Sequence, residues 1–358
     1  MKQYTISKPA DFTGHSIYVG IDVHLKSWKI AIDTEVAAFK RFSQQTSPQL
    51  LVDYLHRHFP GARYLAVYEA GYCGFWIHNA LTAAGIECMV VNPGDVATKD
   101  KERVRKTDRI DASKLARELR SGNLDAIYVP SVAALSDRSL VRMRRAQVKT
   151  QTRIKNQIKA LLRFYGIELP ADCAGRHWSA LFLKWLEELT HNQAELEEGS
   201  RRTLSYHLEE LAQVRSRVLK LTREIRTLSQ RDRYRKRVEY LVSIPGISSL
   251  SAMIWLSELV DIKRFKNLDR LASYVGLVPS THRSAEKGRD GGLTRRRHGG
   301  LRHMLIESAW VATRNDARLA ADFAKLCVRM PKTRAIVRIA RKQLRRIFYV
   351  LREEQPLT

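Results

Sequence analysis

Hydrophobic and polar positions change their period twice along the chain. Ile17-Tyr18-Val19-Gly20-Ile21 is a short apolar run that stops at Asp22, which predicts a strand ending in a carboxylate. Two more short strands are expected at about 27–33 and 36–43, so close together that hairpins must join them. Ser47-Pro48 opens a helix with proline in its first turn, and Leu51, Tyr54, Leu55 and Phe59 fall on one face. The next strand, 64–69, again ends in a carboxylate, Glu69. A helix at 75–84 leads through Gly85 to a strand at 86–91, and Asn92-Pro93-Gly94 turns the chain. Helices are predicted on both sides of the basic stretch 99–106. This order implies an α/β domain around a mixed sheet at 16–130, preceded by a loose segment, 1–15.

The period then becomes helical across 131–239, with a break near 166–175. Leu211, Val214, Val218, Leu221, Ile225 and Leu228 alternate three and four residues apart, the spacing of a coiled-coil seam. Such a seam is filled either by a second helix of the same chain or by another subunit. The last part, 240–358, reads as short helices, a loop rich in Gly and Arg over 279–300, and further helices. In 332–351, Ile336, Ile339, Ala340, Leu344, Ile347, Phe348 and Leu351 form an apolar stripe, and arginines and lysines occupy the rest. The fold class is therefore α/β plus all-α.

Charge narrows the function. Lys and Arg number 63 against 37 Asp and Glu, a formal net charge of +26 over 358 residues. Each phosphate neutralised by such a protein releases counterions, so a polyanionic partner, nucleic acid, is expected. The cysteines Cys73, Cys88, Cys173 and Cys327 form no C-x-x-C pair, which argues against a zinc ribbon and suits a reducing cytoplasm. The polar start has no secretory leader, and no run approaches 18 apolar residues, so no membrane contact is expected.

The candidate chemistry lies in carboxylates. Asp22 and Glu69 end predicted strands, a common place for active-site groups. Asp108 and Asp111 are three apart and share a face of one helix, although Thr107 or Asp108 also suits the helix cap. Each alone has an ordinary structural explanation. Four converging carboxylates would repel one another unless a hard cation lay between them. Mg2+ takes oxygen ligands, and a pair about 4 Å apart activates a nucleophile and stabilises the leaving oxygen in phosphodiester cleavage.

Val-Gly-Ile-Asp-Val, Tyr-Glu-Ala-Gly-Tyr and Lys-Thr-Asp-Arg-Ile-Asp-Ala resemble the motifs of the DEDD transposases of insertion-sequence family one-ten, relatives of Piv-type DNA invertases. The resemblance implies an RNase H-like, RuvC-type domain at 16–130, with Asp22, Glu69, Asp108 and Asp111 as a metal-binding tetrad. It spans nearly the whole chain and is weakest through the helical middle.

In the C-terminal part, Ile244-Pro-Gly246-Ile-Ser-Ser-Leu-Ser-Ala252 is similar to a helix-hairpin-helix, whose turn aims N–H groups at a DNA phosphate; a ligand-free packing turn is the alternative. Ser248 replaces the usual second glycine and suits a helix cap. Gly276-Leu-Val-Pro279 also matches the family, in which a serine shortly afterwards attacks DNA and becomes covalently linked to it. The matching position is Ser284, with Ser280 as the fallback; family members have glycine after this serine, where this chain has Ala285. Serine needs activation. Arg283, Lys287, Arg289, Arg295, Arg296 and Arg297 are candidates to neutralise the phosphate, and His282 to take a proton.

The resemblance further implies a recombinase that excises and inserts a mobile element. It implies donor and target DNA as partners, site choice by a guide RNA from the element, and a homo-oligomer, a dimer that assembles further on DNA. The expected setting is the bacterial nucleoid. Two other readings compete: a RuvC-like nuclease that hydrolyses junctions without a serine, and a non-catalytic DNA-binding protein.

Overall fold

In the N-terminal half, alternate residues of each strand are apolar on one face, and the sheet they build is sided accordingly. The strands are β1 (Ser16–Val23), β2 (Trp28–Thr34), β3 (Ala38–Gln44), β4 (Arg63–Glu69) and β5 (Glu87–Val91). Their order is β3-β2-β1-β4-β5. Neighbours β1–β2 and β2–β3 are antiparallel, while β1–β4 and β4–β5 are parallel. The computed structural model describes residues 11–96, 108–173, 178–284, 287–294 and 297–357, and for 108–110, 173 and 279–292 the backbone alone. Between Val129 and Pro130 the chain divides into two compact units.

One face of the sheet carries Ile17, Val19, Ile21, Ile30, Ile32 and Tyr68, covered by α1 (Pro48–His58) and α2 (Trp76–Ala83) through Leu51, Leu55, Ile77 and Leu81. Helix α1 starts where Ser47-Pro48 predicts it: the Ser47 side chain accepts from the Leu50 N–H. The other face, with Tyr18, Leu65, Val67 and Val91, receives Leu115 and Leu119 of α3 (Asp108–Arg120). Residues 11–15, expected to be loose, form a turn instead. The Phe12 N–H donates to Pro60 O, and its ring meets Phe59 edge-on at 5.2 Å. A single aromatic in a polar segment has no periodicity to announce it. Of the two helices expected around 99–106, the second is α3; the first falls outside the described residues.

The second unit is helical. Helices α4 (Val132–Phe164) and α6 (Glu198–Ser229) lie antiparallel, as the pairs Arg144–Thr222 and Arg153–Glu210 show. The seam is buried at Leu211, Val214, Ile225 and Leu228. Leu211 and Val214 pack with Ile154, Ile158 and Leu162 of α4, so the seam is filled from within the chain. Helix α5 (Ala180–Leu189) completes that cluster through Phe182 and Leu186.

The C-terminal core is formed by α7 (Arg235–Val242), α8 (Ser249–Leu259), α9 (Leu268–Val275), α10 (Gly299–Asn315), α11 (Ala317–Arg329) and α12 (Lys332–Arg352). All seven predicted apolar positions of α12 are buried. The segment expected to be a loop over 279–300 is in large part a hairpin, β6 (Pro279–Ser284) with β7 (Lys287–Leu293). Its pairing is a backbone affair: the sequence there has no apolar alternation to reveal a strand. Among the described residues, no helix is long and apolar enough to cross a membrane.

Candidate active site

The parallel register of β1 and β4 pairs Ile21 with Tyr68, which makes Asp22 and Glu69 the next residue on each strand. Side chains alternate across a strand, so both carboxylates belong to the face of Gly20 and Val67, the face that α3 covers. A Cβ on Gly20 would lie 2.1 Å from Ala112 O and 2.6 Å from Ala116 N. Only glycine lets the α3 backbone come so near, and Ala112 and Ala116 supply the small side chains on the helix side.

The direction of α3 follows from its polar anchors. Arg120 reaches Thr34 O (3.5 Å) and Asp33 (3.7 Å), and Thr34 pairs with Ile17 at the beginning of β1. Ser113 accepts from Arg41 Nε at 2.7 Å, and Arg41 pairs with Ala31, which pairs with Gly20 further along β1. The helix thus runs antiparallel to β1. Its first turn, with Asp108 and Asp111, is directed to the end of the sheet that holds Asp22, next to last in β1, and Glu69, last in β4. The orienting group is buried Asp33, to which Arg41 Nη2 donates at 2.6 Å. Nothing in the sequence pattern marks Asp33, Arg41 or Arg120 as partners.

Beside Asp22, His24 Nε2 lies 2.9 Å from Asp22 Oδ2. Tyr72 Oη donates to Val23 O at 3.1 Å. Partial desolvation, with the neighbouring Cys73 and Asp22, pushes the Tyr72 phenol up. The Asp108 side chain lies outside the described residues. Among those described, no three of His, Cys, Asp or Glu gather closely enough to hold a metal ion.

In the second unit, Ser280 and Ser284 lie on β6, and the backbone of Ser284 pairs with Lys287. His282 pairs with Arg289 and Arg283 with Gly288; Arg295 and Arg296 fall outside the described residues, and Arg297 is exposed. Gly246 has φ +89° and serves packing: a Cβ there would meet Ser308 O of α10 at 2.4 Å. Ser248 caps α8 in a reciprocal capping box with Ser251.

A buried charge cluster joins α4, α8 and the N-cap of α10, and no periodic pattern announces it. Glu258 of α8 is buried and takes two hydrogen bonds from Arg142 of α4, at 2.8 and 2.7 Å. His298 Nε2 is 3.2 Å away, and Arg138 Nε 3.6 Å. His298 Nδ1 accepts from the N–H of Leu301 in the first turn of α10, and the backbone N–H of His298 donates to Tyr274 O. The one signal in the sequence is a carboxylate inside the apolar run Ala-Met-Ile-Trp-Leu-Ser-Glu-Leu.

Burial alone would raise the Glu258 pKa. Hydrogen bonds from Arg142 and His298, with the Arg142 charge, outweigh it and hold the group down to about 2, from an ordinary 4.5. A depressed carboxylate stabilises the fold above its unfolded value and loses that effect as pH falls toward the folded value. Glu258→Ala is therefore expected to lower stability by about 3 kcal/mol near neutral pH. Urea unfolding at several pH values checks this: the gap to wild type stays flat above pH 4.5 and closes between there and about 2.

Two family models match the chain. One, described as a transposase of the IS116/IS110/IS902 family, covers residues 238–324, which include Gly246, Glu258 and Ser284. The other, a DEDD transposase model of the IS110 type, covers residues 19–167, which include all four candidate carboxylates. A transposase-like protein of Sinorhizobium fredii, y4qE, is 28% identical over 310 residues, 82% of this chain and 71% of that protein. The transposase for insertion sequence element IS1533 of Leptospira borgpetersenii is 27% identical, over 70% of this chain and 72% of its own. The transposase for IS1111A of Coxiella burnetii is 26% identical, over 65% and 61% respectively.

Proposed function

We propose that this chain is a DNA-cleaving and rejoining transposase of the IS116/IS110/IS902 type that uses a carboxylate metal site and a serine nucleophile. The N-terminal unit is read as an RNase H-like domain in which Asp22, Glu69, Asp108 and Asp111 hold Mg2+. One observation carries this reading: the antiparallel course of α3 over Gly20, toward the end of β1 and β4. The donor set suits the ion, since carboxylate oxygens at a helix N-terminus are hard ligands for a hard cation. When bound, Mg2+ supplies charge for the scissile phosphate and lowers the pKa of an attacking hydroxyl.

The chain's own groups do the remainder. Asp22 would be one ligand of the ion, and His24, 2.9 Å from Asp22 Oδ2, would orient that carboxylate as an outer partner. Ser284 Oγ attacks phosphorus while the bond from phosphorus to the leaving strand's oxygen breaks; the serine proton passes by way of water to that oxygen, so one strand departs as a free hydroxyl and the other stays linked to the serine. A DNA hydroxyl then reverses the step, so the energy of the phosphodiester bond is kept and strands are rejoined. Arg283, Lys287, Arg289 and Arg297 neutralise the phosphate, with Arg295 and Arg296 beside them in sequence. Ser280 is the alternative nucleophile.

The family resemblance extends the proposal to donor and target DNA chosen by an element-encoded guide RNA, acting in a homo-oligomer on the nucleoid. Because the α6 seam is filled by α4, any subunit contact along the arm must use its outer faces. The metal requirement is tested directly with labelled element-end DNA. Cleavage is expected to stop in chelator and return with Mg2+; undiminished cleavage in excess chelator would refute the metal site.

A further inference from the structure

Two large aromatic side chains stand in solvent next to the acidic end of the sheet. Tyr72 is 65% exposed and Trp76 49%, and both belong to the connection from β4 into α2. Each is held against the β1–β2 turn rather than swinging freely. Tyr72 is tied through its hydroxyl to the carbonyl of Val23, the residue after Asp22. Trp76 packs on buried Trp28, the first residue of β2, with ring centroids 5.9 Å apart. Leu25, 80% exposed, and Lys26 occupy the turn between them. Below, Tyr68 Oη donates to Gly74 O and pins the loop that carries both rings.

Folding gives no reason to leave such rings in water, and their attachment prevents them from turning inward. Each presents a fixed aromatic surface, with a lysine nearby for a phosphate. Nucleobases stack on surfaces of this kind whatever their sequence. We propose that Tyr72 and Trp76 form a stacking platform for unpaired DNA bases next to the scissile phosphate, holding the strand over the Asp22–Glu69 end of the sheet. The proposal rests on the carboxylate-site reading for the position of the cleaved bond. It makes both rings substrate-positioning groups, and Lys26 their phosphate contact.

The test uses the full chain and branched DNA with a single-stranded flap, carrying 2-aminopurine at successive positions around the cleaved bond. Wild-type protein is expected to quench the fluorescence at one or two adjacent positions; Tyr72→Ala and Trp76→Ala each lose much of that quenching. In cleavage, each variant raises KM about tenfold and leaves kcat within about twofold. Tyr72→Phe, which keeps the ring but loses its tether, falls between wild type and Tyr72→Ala in both quenching and KM.

An abasic nucleotide at the quenched position costs wild type the same factor and adds nothing to the deficit of Tyr72→Ala. A structural role would instead lower kcat for every substrate and make the two changes additive. Unchanged quenching in both alanine variants, or an abasic site without effect on wild type, overturns the platform. Quenching needs no cleavage, so the outcomes separate. If Asp22→Asn still cleaves while Tyr72→Ala loses quenching, the carboxylate reading fails and the platform stands.

Discussion

Exchanging Asp22 for asparagine is expected to lower DNA strand cleavage by at least about a thousandfold, with DNA binding changed by less than about threefold. Asparagine has the shape of aspartate and keeps an oxygen for His24, so β1 and its packing are preserved. What disappears is one of the negative charges that make the end of the sheet attractive to a divalent cation. Losing electrostatic stabilisation of a transition state in a closed site costs on the order of 10²–10³ in rate per group, and loss of the ion adds to this. Binding depends on the net charge of +26, which one neutral substitution barely alters. Single-turnover cleavage and a gel-shift titration on the same DNA measure both. His24→Ala, which leaves the carboxylate but removes the histidine contact, should cost only about tenfold. A D22N protein cleaving within tenfold of wild type would remove Asp22 from the machinery.

Ser284→Ala separates a recombinase with a covalent step from a hydrolytic nuclease. The variant is expected to form no protein–DNA adduct on a denaturing gel and to rejoin no strands, a loss of more than about a thousandfold. Ser284 lies on β6, whose backbone pairing with β7 needs no hydroxyl, so the hairpin is kept. Ser280→Ala on the same strand should leave the adduct intact. If it is S280A that abolishes the adduct, the nucleophile is Ser280. If neither change matters and nicks accumulate without rejoining, cleavage proceeds by attack of water, and the serine has no chemical role.

Much of the candidate site is legible in the amino-acid order. Apolar runs that stop at Asp22 and Glu69 mark the ends of β1, which runs one residue further to Val23, and of β4, because a carboxylate is costly to bury without a partner. Asp108 and Asp111 are visible as a helical pair, and the family resemblance joins the three motifs. Neither His24 nor Tyr72 is legible as a neighbour of Asp22. Both lie within or beside the motifs, yet a histidine or tyrosine near an acid in sequence carries no information about where its ring points.

The sequence by itself determined which residues face inward. Periods of two and of about 3.6 set the buried sides of the sheet, the α6 seam and the stripe of α12, since hydrophobic burial depends only on which side of an element an apolar group occupies. Tertiary structure alone decided how those elements meet. The direction of α3 depends on Asp33, Arg41 and Arg120, and its depth on the missing side chain of Gly20. The junction of α4, α8 and the start of α10 depends on Glu258 finding Arg142, 116 residues earlier in the chain. Pairings of this kind leave no periodic trace: polar specificity depends on the distance between atoms, which separation along the chain does not encode.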